Sequence, residues 1–210
     1  MKHQGFHTVN LYYLPYSRVV DRMEVFMKKE ITYYETTKED HTLETFALVK
    51  QRIEETGINK IILASTTGRT ALRAMEYFAD KDITLIVIPH QYGFSSETNL
   101  FPSDTVKTLR EHGHEVHFGT MLFHTEKLYG STVPSIIADF LRCLSEGVKV
   151  CYEITLMAAD GGYVNSGEAV IAIAGTGVNA DTALLLQAST TRNIRKLRIN
   201  EIICKPYNSL

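Results

Sequence analysis

Tryptophan is missing from the sequence, and cysteine and proline are scarce, at three and five in 210 residues. Cys143, Cys151 and Cys204 are odd in number and lack paired spacing. That argues against a disulfide framework and fits a reducing compartment. No apolar run approaches the ~18 residues of a membrane span, and the N-terminus lacks the ~7–15-residue apolar core of a secretory signal. A cytoplasmic protein without a membrane partner is expected. Charge of one sign is missing too. With 22 basic and 24 acidic residues the net charge is −2, which offers no broad footprint for nucleic acid. The four basic side chains from Arg192 to Arg198 read as a solvated face.

What is present is an ordinary apolar fraction, 44%, against 22% charged residues. A chain of this size can bury about 70% of its unfolded surface, so neither disulfide nor structural metal is needed. Residues 1–29 show no clean helix or strand period. Two readings of them stay open: a loosely packed appendage, or sequence upstream of a true start at Met27. Residues 30–210 read as a single domain. Residues 31–34 form a short strand. An apolar helical pattern over residues 39–56, through Leu43, Phe46, Ala47, Val49 and Ile53, stops at Gly57. Residues 60–64 and 83–88 are continuous apolar strands, as expected where both faces are covered. A helix over 70–79 lies between them, with Ala71, Leu72, Met75 and Phe78 turned inward. Further helices are expected at 105–112 and 134–145, and strands at 114–118, 168–174, 182–187 and 197–204. Strands alternating with helices imply a three-layer α/β/α sandwich around a mostly parallel central sheet.

The strongest chemical signal is Ser65-Thr66-Thr67-Gly68-Arg69-Thr70, between a strand and a helix. Ligands of open α/β sheets sit beyond the carboxyl ends of the strands. A helix starting there offers free N–H groups and the positive end of its dipole to an anion. Ser65, Thr66, Thr67 and Thr70 add hydroxyl donors. Gly68 permits close backbone approach, and Arg69 can add a charge-assisted contact. One hydroxyl would suffice to cap the helix, and four with a Gly and an Arg point to a phosphate. The spacing is not that of a Walker loop.

Residues 60–71 resemble the strand–loop–helix of the pyruvate kinase C-terminal domain. Segments 64–71, 150–160 (Val150-Cys151-Tyr152-Glu153-Ile154-Thr155-Leu156-Met157-Ala158-Ala159-Asp160), 180–183 and 200–206 are similar to stand-alone proteins of the pyruvate kinase α/β-domain type. In the pyruvate kinase domain this loop holds an effector phosphate. Some stand-alone members hold flavin mononucleotide (FMN), so the resemblance implies FMN as a cofactor. A sugar-phosphate or nucleotide sensor or carrier is the alternative. The resemblance also turns residues 148–156, strand-like by β-branched content, into a helix, where Val150, Ile154, Met157 and Ala158 share a face. Pyruvate kinase chemistry belongs to a separate barrel domain that does not fit in 210 residues, so kinase activity is not expected. Whether the chain is a flavin-dependent enzyme, and whether it self-associates, stays open.

Two further loops complete the candidate site. In residues 175–181, Gly175, Thr176 and Gly177 permit close approach. Asp181, with Thr182 beside it, either accepts from a ligand hydroxyl or ring N–H or caps a tight turn. Relatives carry an arginine in this loop and this chain does not, which weakens the transfer of a second phosphate contact. In the long loop from 90 to 103, His90, Gly93, Phe94 and Asn99 either cover the ligand or form a lid packed on the domain itself. His112, His114 and His117 lack a carboxylate at a ligand spacing, so no metal is expected. Cys151 and Cys204 are expected to be buried, inert thiols. Glu153 and Asp160, seven apart on one side of a helix, are either an acid–base pair or an ordinary helix-face pair.

Overall fold

The computed structural model describes residues 27–94, 97–177 and 179–208. The expectations for residues 1–26 lie outside the described residues. The strands are β1 (Thr32–Tyr34), β2 (Lys60–Ala64), β3 (Thr84–Ile88), β4 (Glu115–Val116), β5 (Ala169–Ala174), β6 (Thr182–Gln187) and β7 (Arg198–Pro206). The helices are α1 (Thr42–Thr56), α2 (Arg69–Tyr77), α3 (Ser103–Glu111), α4 (Glu126–Tyr129), α5 (Val133–Arg142) and α6 (Glu146–Asp160). One seven-stranded sheet runs β1-β7-β6-β5-β2-β3-β4. Every pairing is parallel except the two that β6 makes, with β5 and β7. The expected mostly parallel sheet is what forms.

Each face of the sheet carries its own core, which makes the three layers. Ile61 and Leu63 of β2 point to one side, where α1, α2 and α3 bring Phe46, Val49, Ala74 and Leu109. Ile62 points to the other, where α6 brings Val148, Cys151, Ile154 and Met157. Alternate residues of one strand therefore feed two cores, which is why these strands read as unbroken apolar runs. Segment 148–156, strand-like by composition, lies within α6, and Ser145 caps it by accepting the Val148 N–H at 3.1 Å. An apolar helix of 15 residues inside a three-layer domain tolerates β-branched residues because burial outweighs propensity.

Some inward residues differ from the periodic reading. In α1, Thr42 and Thr45 face inward, while Leu43 and Ala47 are exposed. Thr42 Oγ1 accepts the Ala180 N–H at 3.1 Å, and Thr45 Oγ1 donates to the Ala180 carbonyl at 3.2 Å. Two threonines thus saturate the backbone of a buried residue just before β6, a requirement that outranks the apolarity of Leu43. In α2 Ala71 and Ala74 are buried and Leu72 is exposed, and Phe78 just beyond its end is buried.

Strand order positions the site. β2 has β3 on one side and β5 on the other. Beyond the carboxyl ends of the parallel neighbours β2 and β5 the chain leaves β2 for α2 and β5 for β6, and ligands of open α/β sheets sit beyond such ends. The β2–α2 loop and the β5–β6 loop meet there.

Candidate functional site

The β2–α2 loop turns through Gly68, whose φ of +83° begins α2 in the left-handed region. A Cβ at Gly68 would lie 2.8 Å from Thr105 Cγ2 of α3. Its glycine thus serves the turn and its packing on α3, where the sequence had pointed to ligand approach. Ser65 is buried, and its Oγ accepts the Ala71 N–H at 3.3 Å. The Leu72 N–H goes to the Gly68 carbonyl at 3.0 Å. The N–H groups ahead of these belong to the first helical turn, which has no intrahelical acceptors to offer them.

The β5–β6 loop folds back tightly. A Cβ on Gly175 would fall 1.8 Å from the Asn179 carbonyl oxygen, so only glycine fits there. Asp181 is buried, with Oδ2 accepting the Thr176 N–H at 2.9 Å and Oδ1 accepting from Thr182 Oγ1 at 2.7 Å. Asp181 therefore holds the turn in shape. Arg69 Nη2 donates to Asn179 Oδ1 at 3.2 Å and ties the two loops together.

Between the loops opens a cavity of about 570 Å³ lined by Ser65, Thr66, Thr67, Arg69, Thr70, His90, Gly175, Gly177 and Asn179. Ser65, Thr66, His90, Val150 and Gly175 also line a second, inner cavity of about 290 Å³, so the two are contiguous. The inner walls are apolar at Ile88, Met121, Ile154 and Met157, with Phe94 at one side. Phe94 sits edge-on to two imidazoles, 4.8 Å from the His90 ring and 5.0 Å from the His124 ring.

Of the sequence-derived candidates, eight line the outer cavity and Phe94 lines the inner one. Gly68, Gly93, Asn99, Thr176, Asp181 and Thr182 line neither. Asn99 supports the site from behind, donating to the His90 carbonyl at 2.7 Å. Thr182 closes against α6, where a Cβ on Gly147 would come 2.1 Å from its Oγ1.

The inner cavity holds Lys149 and His124, which the sequence reading missed, and Glu153, which it had matched with Asp160. Lys149 Nζ donates to Glu153 Oε2 at 2.6 Å and lies 3.2 Å from His124 Nε2. An ammonium has no lone pair, so His124 Nε2 accepts and its proton sits on Nδ1. Glu153 Oε1 accepts the Phe123 N–H at 2.8 Å. Lys149 and Glu153 are both buried. At the rim Arg142 Nε meets Glu146 Oε2 at 2.6 Å. The inner wall therefore carries two internally balanced ion pairs, while the outer cavity is lined by hydroxyls and Arg69. An anion suits the outer space and an uncharged polar body the inner.

His90 and His124 are both held below the ordinary value of 6.5, first by burial and then by nearby positive charge, with Lys149 acting on both. Two polar valences remain open at the inner cavity. His90 Nδ1 is buried without a hydrogen-bond partner. Lys149 uses two of its three N–H donors on Glu153 and His124, leaving one.

The remaining sequence candidates lie elsewhere. His112 is bonded to Thr108 O, His114 to the Leu85 N–H, and the His117 ring packs tilted against Tyr163. Among the described residues no group of three or more His, Cys, Asp or Glu gathers as a metal site. Asp160 accepts the Thr191 N–H, away from Glu153, which pairs with Lys149. Cys151 and Cys204 are buried free thiols, and burial pushes both pKa values up, Cys204 to about 11. Among the described residues no helix is long and apolar enough to cross a membrane.

The family model described as pyruvate kinase, alpha/beta domain, matches residues 44–186, from α1 to β6. The chain belongs to the pyruvate kinase alpha/beta domain family. Among solved structures, a pyruvate kinase from Cryptosporidium parvum is similar at 16% identity over 72% of this chain and 24% of its own, with a TM-score of 0.39. The Cryptosporidium parvum pyruvate kinase in complex with ADP is similar at 16% identity over 66% of this chain and 21% of its own, with a TM-score of 0.34. This chain thus spans about a quarter of the length of the pyruvate kinases it matches. Both site loops fall inside the region that matches the pyruvate kinase alpha/beta domain.

Proposed function

We propose that this domain binds a phosphorylated small molecule, with the phosphate against Ser65–Thr70 and an uncharged, partly aromatic body in the inner cavity, and that the ligand is FMN. The adjacency of the two cavities carries the reading: an anion-suited space shares its wall residues with an apolar one that has hydrogen-bonding groups to spare. Ser65, Thr66, Thr67, Thr70 and Arg69 would hold the phosphate. Phe94, Met121, Ile154 and Met157 would bound the ring system. His90 Nδ1 and the third donor of Lys149 are open valences that ring heteroatoms would fill. When bound, FMN would supply electron transfer, and the residues here bind, orient and shield it from water.

A sugar phosphate or nucleotide held without catalysis would use the same loop, and the hydroxyl-rich outer cavity accommodates it. The charge balance of the inner wall favours a ligand with its charge confined to one end, as in FMN, over a bisphosphate.

The test is titration of purified protein with FMN, followed by flavin fluorescence and calorimetry, with Arg69→Ala alongside. A charge-assisted hydrogen bond contributes about 1.5–3 kcal/mol, so this variant should bind at least about tenfold more weakly, with circular dichroism unchanged. Colourless protein that ignores FMN but binds a sugar phosphate with the same Arg69 dependence would leave the loop assignment standing and remove the flavin. If neither FMN, a sugar phosphate nor inorganic phosphate binds, the reading fails.

A further inference from the structure

Helix α5 is amphipathic with its apolar side turned outward. Ala138 is its only buried residue among those described. Val133, Ile136, Ile137 and Phe140, with Leu144 just beyond its end, are all exposed, Phe140 at 74% and Ile136 at 61%. Their spacing of three, four, seven and eleven residues from Val133 places them in one stripe about 100° wide, the pattern by which a helix normally faces a core. Leu128 and Tyr129 of the adjoining α4 are exposed beside it. In a monomer this surface faces water.

We propose that α4 and α5 form a two-fold interface at which two copies of this chain pair. Large aromatic side chains alone bury about 150–250 Å² each. The seven exposed residues together present on the order of 800 Å², the half-interface of a standard stable complex. That is well above the scattered apolar exposure of an ordinary surface. The stripe itself is made of uncharged side chains. At its border Asp139 and Glu146 share the single Arg142, at 2.8 and 2.6 Å, which leaves one net negative charge at the edge. The apolar centre calls for an apolar partner, and a second copy of the same stripe supplies one. A heptad-like run of apolar residues packs against another such helix, and an isologous contact uses one patch twice. An antiparallel crossing centred near Ala138 sets Phe140 of one copy against the partner's Ile136.

Residues 1–26 are the other candidate cover. The described chain starts at Met27 on the opposite layer, where Lys29 binds Glu55 of α1 at 3.2 Å. A segment leaving from there would have to cross the sheet's edge to reach α5. The interface also abuts the inner cavity, since Arg142 and Glu146 belong to its wall.

Sedimentation equilibrium of the full chain tests this at micromolar concentration, with Ile136→Glu/Phe140→Glu and, separately, Phe140→Ala. The parent should be a dimer and the double variant a monomer with native circular dichroism. Phe140→Ala should raise the dimer dissociation constant at least about tenfold, as truncation of a central aromatic anchor does, and it reads the interface even if the double variant folds poorly. A monomeric parent overturns the proposal, including one whose α5 amides are protected from hydrogen exchange by residues 1–26 until those are deleted. So does a trimer, or an oligomer that neither variant loosens.

Discussion

Removing the Lys149 ammonium should destabilise the domain far more than its position beside a cavity would suggest. Lys149 and Glu153 are one turn apart on α6, 2.6 Å between Nζ and Oε2, with side chains almost wholly withdrawn from solvent. Lys149→Met keeps most of the stem volume, so packing changes little, but it strands the Glu153 carboxylate. Breaking a buried pair from one side costs about 3–5 kcal/mol, because the remaining charge is left uncompensated. Glu153 keeps the Phe123 N–H on its other oxygen, and the adjoining cavity can admit water, which places the expected loss near the lower bound, about 3 kcal/mol. The double variant Lys149→Met/Glu153→Leu removes both charges and should be more stable than the single, while staying below the parent because the Phe123 N–H loses its acceptor, at about 1–3 kcal/mol. His124 Nε2 loses its donor in both variants, so it cancels when the two are compared. Urea denaturation at neutral pH measures both, and with Glu153→Leu alongside the cycle yields the coupling. A loss below about 1 kcal/mol for the single variant, or a double variant no more stable than the single, would refute the reasoning.

Four further outcomes are expected. Gly68→Val should cost at least about 2 kcal/mol in denaturant unfolding, since it places a β-branched residue at positive φ and drives its Cβ into Thr105, whereas Arg69→Ala, which gives up the exposed contact to Asn179, should cost less than about 1 kcal/mol while weakening ligand binding. Thr45→Val keeps shape but deletes the hydroxyl that serves both Ala180 O and Tyr34 Oη; it should cost about 1–3 kcal/mol and loosen the β5–β6 loop, read as faster hydrogen exchange at Ala180 and Asp181. His90 and His124 are neutral in the fold, with pKa values below the ordinary 6.5. The unfolded chain therefore takes up more protons near that value, so their contribution is present above it and is lost as pH falls through the lowered values; His124→Asn should flatten the fall in stability below pH 6.5, measured by denaturant titration across that range.

Much of the architecture was legible because the sheet is covered on both sides. Residues 60–64, 169–174 and 182–187 are apolar at nearly every position, and such runs admit few other readings in a chain with helices between them. The β2–α2 loop was legible because its hydroxyls exceed what a cap needs. Less visible was anything that depends on a contact between distant segments. Thr42 and Thr45 look like surface residues of a helix until Ala180 is placed beside them. Gly68 owes its identity to Thr105 rather than to a ligand. Lys149 and Glu153 left a signal that went unread: two opposite charges four apart in a helix whose other charges, Glu146 and Asp160, stand at its two ends, a spacing that favours pairing and an environment that demands it. Glu153 was matched instead with Asp160, on helical geometry alone. The outward stripe of α5 is hidden from any periodicity argument, since the pattern reports that a face is covered and not by what.

The pairing of β1 has a bearing on how the domain comes together. Among the described strands β1 pairs with β7 alone, Thr32, Tyr33 and Tyr34 lying against Cys204, Lys205 and Pro206, so an early strand must wait for a very late one. Thr45 and Cys204, which touch behind that pair, are 159 residues apart. Closing so long a loop is costly before any contact rewards it, and distant pairings slow folding. During synthesis β2 and β3 can zip together with α1 and α2 while that edge of the sheet is still open. The nascent domain would then carry an unlatched border, and its last strand acts as the latch: damage to β7 should trap a half-built sheet rather than merely trim a finished one.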